Sequence, residues 1–116
     1  MPTVLVLGFD PHTIPGMDGD GMRAVLDAEL ARFADHGIDA AMTLLAPDDT
    51  AEPAVVAALS SRPWDVVVIG GGIRKPEPAL VFFEQVVNLV RRHAPGAAIA
   101  FNSSGADSVE AARRHL

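Results

Sequence analysis

Apolar residues follow two rhythms along this chain. Val4-Leu5-Val6-Leu7 and Val66-Val67-Val68-Ile69 are unbroken apolar runs rich in β-branched residues. That is the pattern of strands buried on both faces. Residues 38–45 and 97–101 read as two further, less regular strands. Between these runs the apolar residues recur at helical spacing. Met22, Val25, Leu26, Leu30 and Phe33 predict a helix with Arg23, Asp27, Arg32 and Asp35 on its other side. Asp18 or Asp20 can cap it, and Gly37 is a natural stop. Val55, Val56 and Leu59 predict a short second helix, ended by Arg62-Pro63 because the residue before proline disfavours helix. Leu80, Phe83, Val86, Val87 and Val90 stripe a third helix over about 77–93, with Pro78 in its first turn. Val109, Ala112 and Leu116 give the inner face of a fourth, and Ser104 with Asp107 has the spacing of a capping box.

Strict alternation of strand and helix forces parallel pairing with right-handed crossovers. The expectation is one α/β domain over 1–116, a three-layer α-β-α sandwich on a four-stranded parallel sheet. Topology rules favour the strand order 2-1-3-4. This is a flavodoxin-like or Rossmann-like arrangement truncated by its last unit.

Composition narrows the partners. A net charge of −6 argues against nucleic acid and anionic membrane surfaces, both of which need a basic face. The absence of cysteine removes disulfides, thiolate chemistry and cysteine-held metals. The first residues lack the basic and apolar regions of a signal peptide or membrane span, so a cytoplasmic location is expected. Lys75 is the only lysine among many alanines and arginines, a bias typical of GC-rich bacterial genomes.

In an open doubly wound sheet, ligands sit beyond the carboxyl ends of the strands where the order reverses. With order 2-1-3-4 that crevice lies between the 9–20 and 70–76 segments, with residues 102–104 beside it. The long proline- and glycine-containing stretch between Gly8 and Asp20 is of the kind that carries function. Gly70-Gly71-Gly72 follows the most β-branched strand. Three glycines allow positive φ, close approach of backbone, and amides presented to an anion ahead of a helix. Arg74 and Lys75 add two cations. Asn102 and Ser103 are candidate ligand donors, whereas Ser104 reads as a cap. Opposite them, Asp10 is a candidate general base and His12 a candidate proton shuttle. Each has a plainer reading: Asp10 as an Asx-turn before Pro11, His12 as solvated, and the glycines as a packing turn. No histidine pair has metal-ligand spacing on one face. No cofactor is specified.

Asp10-x-His12 followed by Gly16 resembles the Asp-x-His-x-x-Gly signature of cobalamin-binding domains, which share this topology. One extra residue precedes the glycine, and that family's Ser-x-Leu and late Gly-Gly motifs are missing. The chain is similar to receiver domains in size, but Gly70 stands where their phospho-accepting Asp belongs. Asp10-x-His12-Thr13 weakly resembles the haloacid-dehalogenase nucleophile motif, with His in place of the second Asp. None of these matches carries residues over.

Three functional expectations follow. The first is a domain binding a small ligand through its anionic group, a phosphate or carboxylate, with or without a reaction. The second is a non-catalytic assembly or adaptor domain, a homodimer formed where the apolar fourth strand needs cover at the sheet edge. The third is a metal-dependent hydrolase using Asp10, His12, Asp18 and Asp20.

Overall fold

A computed structural model of the chain describes residues 1–116. Four strands, β1 (Thr3–Phe9), β2 (Asp39–Leu45), β3 (Val66–Ile69) and β4 (Ala98–Phe101), form one parallel sheet in the order β2-β1-β3-β4. The expected architecture and strand order are those observed. The two unbroken apolar runs are the central strands, and Val4–Leu7 and Val66–Ile69 are buried on both faces.

The helices are α1 (Gly19–Asp35), α2 (Ala51–Ser60), α3 (Gly71–Arg74), α4 (Leu80–His93) and α5 (Ser108–Arg113). Alternate strand residues feed two separate cores, as the pleat requires. Leu5, Leu7, Val67 and Ile69 pack with Val55 and Leu59 of α2 and Val86, Leu89 and Val90 of α4. Val4, Val6, Val66, Val68 and Ala100 pack with Phe33 of α1 and Val109, Ala111 and Ala112 of α5. No helix is long and apolar enough to cross a membrane.

The ends of α1 obey local chemistry. Asp18 caps α1 by accepting from the Gly21 amide at 3.1 Å, and Gly37 takes φ 69° just beyond its end. The expected inner stripes need three corrections. Val25, Leu80 and Leu116 are exposed, while Glu29 is buried. Glu29 accepts the Val109 amide at 2.8 Å and is held by Arg32 at 2.7 Å. It therefore supplies α5 with the end-cap acceptor that the helix lacks locally, and Arg32 pairs the buried carboxylate. Of the Ser104–Asp107 capping box only the return bond forms, from the Ser104 amide to Asp107 at 3.0 Å; the Ser104 hydroxyl accepts the Ala106 amide and does not cap α5. Asp107 occupies the N-cap position of α5 but turns its carboxylate back to the Ser103 and Ser104 amides.

The segment after β3 also differs. The three glycines begin no open loop: Gly71 and Gly72 start the one-turn α3, and a 3₁₀ turn at Glu77–Ala79 precedes α4. None of the three adopts positive φ. At Gly70 the use of glycine is close approach. The Gly70 amide bonds Leu7 O at 2.8 Å, and a Cβ on Gly70 would lie 3.0 Å from that same oxygen.

Candidate functional site

The carboxyl edge of the sheet carries a half-open cavity of about 430 Å³, within the usual range of roughly 300–1,000 Å³ for small-molecule sites. Strand alternation explains why it is there. On the α1/α5 face, β1 presents Val4, Val6 and then Gly8, and β3 presents Val66, Val68 and then Gly70. β1 and β3 are neighbours with Val6 beside Val68. The last position of both central strands on this face therefore carries no side chain, and the sheet drops away. Flanking strands still supply Met42 and Leu44 from β2 and Asn102 after β4. Met22 and Leu26 of α1 form the roof. Gly105 permits that roof: a Cβ there would lie 3.0 Å from Leu26 Cδ2.

The wall has an apolar part and a polar part. Phe9, Ile14, Met17, Met22, Leu26, Met42 and Leu44 supply the first. Gly71, Gly72, Lys75, Asn102, Ser103, Ser104 and Ser108 supply the second. The Lys75 ammonium bonds Ser103 O, so it stands between the α3 segment and the loop after β4. It has further protons to give. Ser108 is buried, and its Oγ accepts from Asn102 Nδ2 at 3.0 Å and makes no other hydrogen bond.

Several residues singled out by sequence are committed elsewhere. Arg74 lies outside the wall. Its Nε donates to Ile69 O at 3.0 Å, and its Nη2 donates to Asn102 O and to Asn102 Oδ1 at 3.2 Å. The guanidinium also lies 5.2 Å from the Phe101 ring centroid. Arg74 thus closes the carboxyl ends of β3 and β4, and of the two expected cations only Lys75 lines the cavity. Asn102 lines the cavity, but its side chain is spent on Arg74 and Ser108. Ser103 gives both its amide, at 2.9 Å, and its hydroxyl to Asp107. Burial pushes the Asp107 carboxyl up, but the Ser103 hydroxyl, the Ser104 and Ser103 amides and Arg114 bring it below the ordinary carboxylate range. The anion site offered by this loop is therefore filled by the chain's own Asp107.

Asp10 and His12 also lie outside the cavity wall, on the outer side of the segment whose Pro11, Ile14 and Met17 face in. The His12 amide donates to Asp10 Oδ1 at 3.0 Å, as in an Asx-turn. The imidazole sits between two carboxylates, with Nε2 2.8 Å from Asp20 Oδ1 and Nδ1 3.3 Å from Asp10 Oδ1. The bond to Asp20 raises the His12 pKa, partial desolvation opposes it, and Asp10 adds to the rise. The His12 amide holds the Asp10 carboxyl below its ordinary range. The ring packs on the start of α1 so closely that a Cβ on Gly19 would lie 2.6 Å from His12 Cδ2. This arrangement ties the end of β1 to the first turn of α1. No three His, Asp or Glu side chains are grouped so as to hold a metal ion.

Sequence reasoning missed Gly8, Ser108 and the methionines as site residues. Gly8 was the available signal: a glycine in the last turn of an otherwise alternating, buried strand face gives up packing for space. No protein-family model matches the chain, and comparison with curated proteins returns no match.

Proposed function

We propose that this domain binds a small molecule through an anionic group, in the cavity between the 9–20 and 70–76 segments. The observation that carries this reading is the position of Lys75. The only lysine of an acidic chain stands in the wall of a small-molecule-sized cavity at the point where the strand order reverses. The reading assigns binding and no reaction, since Asp10 and His12 face away from the cavity.

The test is a thermal-shift screen of phosphate, sulfate, nucleotides and small carboxylates against the wild type and Lys75→Met. A ligand at a hundred times its Kd adds about 2.7 kcal/mol, a shift of several degrees for a domain of this size. At least one anion is expected to shift the wild type and to lose most of its effect in the variant. A screen in which the variant keeps every wild-type shift refutes the reading.

A second reading, self-association over the β4 edge, draws on one feature. Phe101 at the end of that strand is 43% exposed, and Phe83 of α4 packs edge-on against it with ring centroids 5.8 Å apart. Light scattering at high concentration decides it: a dimer that Phe101→Asp dissociates supports it, and a strict monomer ends it.

A further inference from the structure

We infer that the ligand is an amphipathic monocarboxylate: one carboxylate head on an aliphatic body, with the body in the cavity and the head at Lys75 and Ser108. The inference rests on the anion reading above and deepens it by naming the substrate class.

The first argument is the shape of the void. Gly8 and Gly70 remove side-chain volume from two adjacent strands, and the space left is bounded by Met42 and Leu44 on one side and Met22 and Leu26 above. A Cβ on Gly8 would meet only Leu44 Cδ2, at 3.8 Å, so backbone crowding does not require the glycine there. A Cβ would be accommodated there, and a larger side chain would extend over the floor. Leaving that position empty forfeits packing and β-propensity, and what it yields is room beside apolar walls.

The second argument is the wall chemistry. Met17, Met22 and Met42, every methionine after Met1, line this one cavity. Methionine is unbranched and polarizable, and it adapts its shape to an apolar guest better than leucine or valine. A sugar or a nucleobase needs hydrogen-bonding partners that these side chains cannot give.

The third argument concerns charge. Lys75 supplies one positive charge, and the Ser108 hydroxyl has a proton to donate from a buried position. The amides of Ser103 and Ser104 are taken by Asp107, whose own negative charge borders the polar wall. One cation beside a fixed carboxylate suits a single negative charge. A phosphate monoester would bring two negative charges to a wall with one cation.

Calorimetric titration of the full chain with butanoate, hexanoate and octanoate, and with the matching alcohols, tests the inference. Affinity for the acids is expected to rise about fourfold per methylene, from ~0.8 kcal/mol of apolar burial each, until the chain outgrows the cavity. Each acid is expected to bind about tenfold more tightly than its alcohol, the size of one charge-assisted hydrogen bond. Lys75→Met should remove that acid–alcohol difference, and Ser108→Ala should reduce it. Gly8→Val should flatten the chain-length series while the protein stays folded. If Gly8→Val does not fold, the wild-type series still decides. Should acetate, phosphate or sulfate bind in a Lys75-dependent way with no gain along the acid series, the monocarboxylate class is wrong and the anion site survives. Acids and alcohols that bind equally, and equally in Lys75→Met, overturn the anion site itself. No binding by any of these probes overturns both.

Discussion

The α2/α4 face and the α1/α5 face draw alternate residues from the same four strands, yet they finish differently at the carboxyl edge. On the first, Leu5 and Leu7 of β1 and Val67 and Ile69 of β3 lead into Phe9 and Ile73, and large side chains continue to the rim. Phe9 even stacks on Phe82, with centroids 5.5 Å apart. On the second, the valines of both central strands give way to Gly8 and Gly70, and α5 adds mainly Ala111 and Ala112. One face is filled and holds the domain together. The other is filled at its amino-terminal end and hollow at its carboxyl end. A site can thus arise by subtraction, from two missing side chains on an otherwise complete sheet.

The largest expected effect separates a packed position from a wall position. Leu5→Ala, buried on the filled face and away from the cavity, is expected to cost about 3 kcal/mol, because close-packed neighbours relax little into the space. Met42→Ala, half-buried beside the cavity, is expected to cost about 1–2 kcal/mol, since it already lacks partner atoms on one side. Urea unfolding of both variants measures the gap. Equal losses would mean that the two faces are packed alike.

The two glycines that make the hollow should then respond with opposite signs. Gly70→Ala places a Cβ 3.0 Å from the Leu7 carbonyl oxygen and is expected to lose about 1–2 kcal/mol through the shift it forces. Gly8→Ala meets only Leu44 Cδ2 at 3.8 Å, and removing a strand glycine there is expected to gain roughly 0.5–1 kcal/mol. Thermal or urea unfolding reads both. If both lose stability, Gly8 is held by backbone geometry and not by the need for space.

The smallest effect belongs to the outer strap. His12 has a raised pKa, so the ion pairs with Asp20 and Asp10 hold fully below about pH 6.5 and are lost as pH climbs through the raised value. The neighbouring charge of Arg23 acts on Asp10 in the same region. Amide-exchange protection factors over residues 12–20 are expected to fall from mildly acidic to mildly basic pH in the wild type, and to stay flat in His12→Ala. A flat wild-type profile removes the strap from the account and leaves the cavity untouched.

How much of this was legible depended on the range of the interaction. Val4–Leu7 and Val66–Ile69 announced themselves as central strands because burial on both faces demands unbroken apolar residues. The edge carrying the cavity was also legible, since reversal of the strand order puts the crevice there. The membership of the site was not. Arg74 and Lys75 are adjacent in sequence, yet the one-turn α3 sends the first to β3 and β4 and leaves the second in the cavity wall. Asp10 and His12 belong to the correct segment, but the Asx-turn aims them outward. Ser108 reads as an ordinary first residue of a helix, and Met22, Leu26 and Met42 read as core.

The amino-acid order alone determined the layers, the sense of the strands and the approximate extent of the four main helices, because periodicity acts over a few neighbouring residues. Only the tertiary structure decided where the hollow lies. Gly8 and Gly70 are far apart in the chain, and a void appears only when parallel register sets the ends of β1 and β3 side by side under α1. That juxtaposition is a property of the assembled sheet, which no single stretch of sequence contains.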